Sequence, residues 1–250
     1  LFGETVIADV AIIGYDLYFH EGASFGLLFQ AKNNLLFQTN LLQQRRKRLA
    51  QADVREEKLT ILGHPVSYLF SQDGTVRSYY VAHGDFHLIT TSRRLVERFL
   101  EASEGKKPLS ECQEFQFARS LFPPSRPDTA FIYLSREFFQ NLTAPAYRIE
   151  TQRRMQALTD LDLVELALLA AASEGVNAET IEDLVARGYL PKGFGPRSDG
   201  SFPVLEQGLV RDSLRGSRGG FVPIADLPAT RASAAEARMY RDFVAHYAQA

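Results

Sequence analysis

Short apolar runs rich in Val, Ile, Phe and Leu open the chain. "TVIADVAIIGYDLYF" and "GASFGLLFQA" predict two strands joined by a turn around His20, Glu21 and Gly22. The period then changes. In "NNLLFQTNLLQQRRKRLAQ", Leu35, Leu36, Leu41, Leu42 and Leu49 recur at helical spacing, with Asn33 or Asn34 placed to cap the first turn. The basic run Arg45 to Arg48 falls in the last turns of that helix. It is expected to be a solvated end favoured by the dipole, not a nucleic-acid patch.

From Lys58 to Thr91 the pattern predicts three strands and two hairpins. Asp73-Gly74 lies between two alternating runs, and Gly84-Asp85 forms a two-residue turn of type II′. The second turn decides what the histidines on either side of it can do. It pairs His83 with Phe86 and Ala82 with His87, so the two rings leave opposite faces and cannot converge on a metal. The same counting places Val66, Tyr68, Phe70, Tyr79, Val81, Phe86 and Leu88 on one buried face. Ser67, Ser71, Ser78 and His87 lie on a more polar face that also holds Leu69, Tyr80 and Ile89. Ser92 caps "RRLVERFLEA", "SECQEFQFARSLFPP" is a helix stopped by two prolines, and "DTAFIYLS" reads as a further strand. Residues 1–135 are therefore expected to form an antiparallel α+β domain with helices mainly on one face.

Residues 136–250 change character. "REFFQNL", "YRIETQRRMQAL" and "LDLVELALLAAASEG" read as helices, and Asn177 is placed to cap "AETIEDLVARG". Residues 191–229 are rich in Gly, Pro, Arg and Ser and read as a long irregular loop, of the kind that marks binding, partner contact or mobility. Ser233 and Glu236 form a capping box for a last helix with Tyr240, Phe243, Val244 and Tyr247 as its stripe. The expected fold class is α+β: a mainly antiparallel sheet with packed helices, then a mostly helical C-terminal half with a long Gly/Pro/Arg-rich loop. The chain starts at Leu1 in a strand-like pattern and stops in a helical one, so it reads as a piece of a longer polypeptide.

Composition narrows the functional classes. With 250 residues, 45% hydrophobic and 23% charged, the chain matches an ordinary globular protein. A net charge of -2 gives no pull toward nucleic acid, and no apolar run is long enough to span a bilayer. Cys112 is the single cysteine, so no disulfide closes within the chain. The sequence carries no P-loop, dinucleotide fingerprint, H-E-x-x-H, G-x-S-x-G or C-x-x-C, and no cofactor is expected.

The residues that invite a binding role are Arg187, Lys192, Arg197, Arg211, Arg215 and Arg218, spread among glycines. Guanidinium forks there could receive an acidic or phosphorylated ligand. Alternatively, they pair with Asp199, Asp212 and Asp226 to pin a loop that lacks backbone ladders. A hydrolase-like site assembled from scattered residues, with His20, His64 or His87 as base, is a third possibility.

"VAIIGYDLYFHEGASFGLLFQAKN", "DGTVRSYYVAHGDFHLITTSRRLVERFLEA" and "DSLRGSRGGFVPIAD" resemble parts of a family of large bacterial proteins without an assigned activity. The resemblance implies an exported or envelope-associated protein. It also implies a non-catalytic structural or interaction module, with flanking regions of the same polypeptide or other envelope proteins as partners. "AETIEDLVARGYLP" is similar to a helix and turn of secretion pseudopilins. Their long apolar N-terminal helix is missing here, so that echo is helix-stop chemistry.

Overall fold

The computed structural model describes residues 3–18, 22–51, 53–125, 130–206, 208–227 and 229–249. The turn expected at His20 and Glu21 lies outside them. The chain divides into two compact units: Leu1–Leu17, Ser24–Leu69 and Ser78–Ala144 in the first, and Tyr18–Ala23, Phe70–Arg77 and Pro145–Ala250 in the second.

The first unit contains α1 (Gly3–Val6), β1 (Ile7–Gly14), β2 (Phe25–Ala31), α2 (Asn34–Leu49), β3 (Val54–Ile61), β4 (His64–Ser71), β5 (Arg77–His83), β6 (Phe86–Thr90), α3 (Arg93–Ser103), α4 (Gln113–Leu121) and α5 (Arg136–Thr143), with Arg77 and the end of β4 counted in the second unit. The strands form one six-stranded antiparallel sheet in the order β1-β2-β6-β5-β4-β3. Register follows the turn chemistry. Gly84-Asp85 is a two-residue turn with His83 opposite Phe86 and Ala82 opposite His87, and Gly84 takes the positive φ of 57° that the turn requires. The β3–β4 hairpin turns on Leu62 and Gly63, both at positive φ.

One face of this sheet packs on α3. Val66, Tyr79, Val81 and Leu88 meet Val96 and Leu100 there, with Tyr68 and Phe99 at the margin. Ser92 caps α3 by accepting from the Leu95 N–H. The other face is covered by α2, so helices lie on both faces and not mainly on one.

α2 also presents a different side from the one its leucines suggest. Phe37 and Arg45 are buried, while Leu35, Leu36, Leu42 and Leu49 are exposed. The sheet beneath is polar, and that selects the inward residues. Arg45 donates to Ser78 Oγ at 3.0 Å and Ser67 Oγ at 2.8 Å, so only the rest of the basic run is solvated. Residues 130–135 lie in no strand, so the strand read in "DTAFIYLS" is not formed among the described residues, and Asp128 and Thr129 lie outside them.

The second unit is built on the 29-residue α6 (Pro145–Ser173), followed by α7 (Ile181–Ala186), β7 (Pro203–Glu206), β8 (Leu209–Asp212), β9 (Gly216–Ser217) and α8 (Ala234–Tyr247). Ala157, Leu161, Val164, Ala167 and Ala171 of α6 pack with Leu184, Leu190, Val210 and Phe221. Thr180, not Asn177, caps α7, and the Ser233–Glu236 capping box is formed. The stretch read as an irregular loop holds a three-stranded sheet in the order β7-β8-β9. Close backbone approach demands glycine here. A Cβ on Gly74 would lie 2.9 Å from the Gly220 carbonyl oxygen, and one on Gly220 would lie 2.7 Å from Gly74.

Candidate functional site

The densest polar constellation lies in the second unit. Its first members sit on α6, where the inward stripe Ala157, Leu161 and Val164 continues N-terminally, at helical spacing, as Arg154 and Glu150. Opposite them, Asp199 closes a turn by accepting from the N–H of Ser201 at 3.0 Å and its hydroxyl at 2.7 Å. At the end of β8, Asp212 closes another, accepting from the N–H groups of Leu214 at 3.0 Å and Arg215 at 2.7 Å. These two turns set Arg197 and Arg215 against Asp160 and Glu150 of α6.

Arg215 is at the centre, with no exposed surface. Its fork meets Glu150 in bidentate fashion, at 2.8 and 3.0 Å, and its remaining donors go to Ser201 Oγ at 3.0 Å and to Asp199. Arg197 donates to Asp160 at 2.6 Å, to Ser201 Oγ at 2.9 Å and to Asp212, and its Nη2 has no acceptor among the described residues. Arg154 pairs with Glu150 at 3.3 Å and donates to the Val222 carbonyl. Arg153 binds Glu236 at 2.6 and 3.1 Å and the Arg231 carbonyl at 2.7 Å. Four guanidiniums thus meet five carboxylates, Glu150, Asp160, Asp199, Asp212 and Glu236.

The electrostatics follow from this pairing. Burial by itself would raise the Asp199 carboxyl, but hydrogen bonds from Arg215 and Ser201 outweigh it and hold the group far below the carboxylate range. Arg153 pulls Glu236 down to about 2. Burial opposes the charge of Arg215, yet Glu150 and Asp199 more than compensate and hold its pKa above the ordinary value. Asp199, Glu236 and Arg215 are therefore charged near neutral pH, and their charges answer those of their partners.

The six basic residues singled out in the sequence divide accordingly. Arg197 and Arg215 are brought together around Ser201 and Asp212. Arg211 pairs with Glu206 and the exposed Arg218 with Asp162. Arg187 and Lys192 are exposed and join no ion pair among the described residues. Sequence reasoning missed Glu150, Arg153, Arg154, Asp160 and Glu236. The signal available for two of them was charge at inward positions of the α6 stripe.

A second polar cluster lies on the α2 face of the first unit. His87 is 2% exposed. Its Nε2 is 2.8 Å from Asn34 Oδ1 and its Nδ1 is 3.0 Å from the Tyr80 hydroxyl. Asn34 donates its own amide to the Gly84 carbonyl and Asp85, so its oxygen must face the imidazole. His87 therefore carries its proton on Nε2 and accepts from Tyr80. Burial lowers its pKa, against a smaller opposing effect of Asp85, and burial also raises the Tyr80 phenol. Both imidazole nitrogens are committed, so the ring is a neutral strut more than a free base. Phe37 packs on it at 4.7 Å between centroids, and Phe37 also lines an apolar cavity of about 300 Å³ with Val6, Ile7, Phe29, Leu41 and Ile89.

His83 leaves the opposite face and stands 5.8 Å from the His64 ring, whose Nε2 is 3.7 Å from Glu104. His20 lies outside the described residues. No family model, curated protein or solved structure matches the chain.

Proposed function

We propose that the chain is a non-catalytic structural or interaction module of a larger bacterial, extracytoplasmic polypeptide. One observation carries this reading. Between Leu109 and Phe139 the first unit keeps large apolar side chains in water: Leu109, Phe117, Leu121, Phe122, Phe131, Ile132, Leu134 and Phe139 are all exposed, and neither α4 nor α5 buries a residue. Phe115 stacks edge-on against Phe131 and Tyr133, and Phe122 lies 6.2 Å from Phe131, so these segments cohere with one another. Apolar exposure on this scale is a mark of a surface meant to be covered. The resemblance to large envelope-associated bacterial proteins supports the same reading, with flanking polypeptide as the first partner. The pairing of Arg197 and Arg215 with carboxylates weighs against a binding site for an acidic ligand at those residues.

Hydrogen exchange tests the proposal. Amides of Gln113–Leu121 and Arg136–Thr143 should exchange at least tenfold more slowly in the intact natural polypeptide than in this chain. Equal exchange in both would mean that nothing else in the polypeptide covers the segment, and the proposal would fail.

A further inference from the structure

We propose that the free edge of β1 is a homotypic pairing site, at which two copies of this chain join β1 to β1 in antiparallel fashion and fuse their six-stranded sheets. This rests on the reading of the chain as an interaction module, and names one partner and one surface for it.

The two edges of the sheet are built differently. β3 carries Arg55, Glu56, Glu57 and Lys58 in succession, all exposed, and such charge guards an edge against pairing. β1 runs Ile7–Gly14 as "IADVAIIG", with Asp9 its single charge. Val10 is 48% exposed and Ile12 is 76% exposed.

The backbone shows which groups are open. Tyr15 N–H bonds to the Ser24 carbonyl, so past the bulge between Ile7 and Asp9 the odd residues of this strand face β2. The Val10 N–H is instead taken by the carboxylate of its own neighbour Asp9, at 2.8 Å. Val10, Ile12 and Gly14 therefore aim their peptide groups away from β2, toward the open edge.

Parity then fixes the joint. Hydrogen-bonded pairs across a two-fold axis must join even residues to even residues, and the register that keeps the pairing in the regular stretch past the bulge, residues 9–13, sets Val10 opposite Ile12 of the copy and Ile12 opposite its Val10. The exposed aliphatic side chains bury one another in cross-strand pairs. Asp9 falls opposite Ile13 of the copy, so the two acids never meet. Ala11 meets Ala11 on the axis, in a non-hydrogen-bonded pair, where Cα atoms approach to about 4.5 Å. That distance is within the range a disulfide accepts. Asp9 and the bulge beside it guard this edge, and the carboxylate must release the Val10 N–H before the copy can accept it.

The test uses the whole chain with Cys112→Ser, so that any new thiol is the only one. Under mild oxidation Ala11→Cys should give a disulfide-linked dimer at least tenfold faster than Ile13→Cys, whose partner in the copy is Asp9. Sedimentation of the unmodified chain should show a concentration-dependent dimer, weakened at least tenfold by Ile12→Lys and strengthened by Asp9→Asn, with circular dichroism confirming that each variant stays folded. Equal cross-linking of the two cysteine variants, or a monomer at every attainable concentration, would overturn the proposal. So would a dimer indifferent to Ile12→Lys, because it would use another surface. Failure here leaves the module reading standing, since that turns on the exchange comparison.

Discussion

Arg215 is fully buried and still charged because two carboxylates and a serine hydroxyl surround its fork. Desolvating such a group is costly, and the cost is recovered only while every partner is present. Glu150→Gln keeps the shape and removes the charge that answers both Arg215 and Arg154. It should destabilise the second unit by about 3 kcal/mol, near the low end of what breaking a buried ion pair costs, as read by urea unfolding. A loss under 1 kcal/mol would show that the pair is solvated. Arg197 and Arg215 were visible in the sequence because they stand among glycines. Asp199 and Asp212, close in sequence, were expected as their partners and do pair with them. Asp160, which answers Arg197, and Glu236, which answers Arg153, are distant in sequence, and long-range pairs leave no local period. Glu150 and Arg154 were a readable exception: they occupy the apolar stripe of α6, where a charge has to be explained.

Turns and caps decided which elements could be read. Gly84-Asp85, Ser92 and the Ser233–Glu236 box act through near neighbours, so their chemistry is legible locally, and the structure has each in its expected role. α2 turns inward a different side from the one its leucine spacing suggests, because its partner is a polar sheet surface that receives Phe37 and Arg45. The segment 130–134 has strand composition but no neighbour to pair with among the described residues, and pairing is a property of two segments. The β3–β4 turn carries a local conflict of its own. Leu62 sits at φ 48° and Gly63 at φ 80°, a pair of conformations for which Asn-Gly is the favoured sequence. A leucine side chain crowds its own carbonyl there. Leu62→Asn should stabilise the first unit by about 1 kcal/mol, seen as a higher denaturant midpoint with unchanged slope. A lower midpoint would mean that the half-exposed leucine side chain earns more by packing than it loses in backbone strain.

At the scale of the whole molecule, the sequence reading recovered the α+β class, the antiparallel sheet and the helical later part. It placed the helices mainly on one face of the sheet, where α2 forms a second layer, and it read residues 191–229 as irregular where they hold a small sheet. That order comes from Asp turns and buried ion pairs, not from periodic hydrophobic burial, so hydropathy patterns do not register it. The central claim is that the arginines of this region are occupied internally and serve to hold the second unit together. The most direct measurement is the melting temperature of the chain in phosphate and in chloride at matched ionic strength. Internal occupation predicts only the steady, unsaturable rise that phosphate gives as an excluded salt, unchanged by Arg197→Met. A saturable rise specific to phosphate, abolished by Arg197→Met in a variant that remains folded, would contradict it and return the loop arginines to ligand binding.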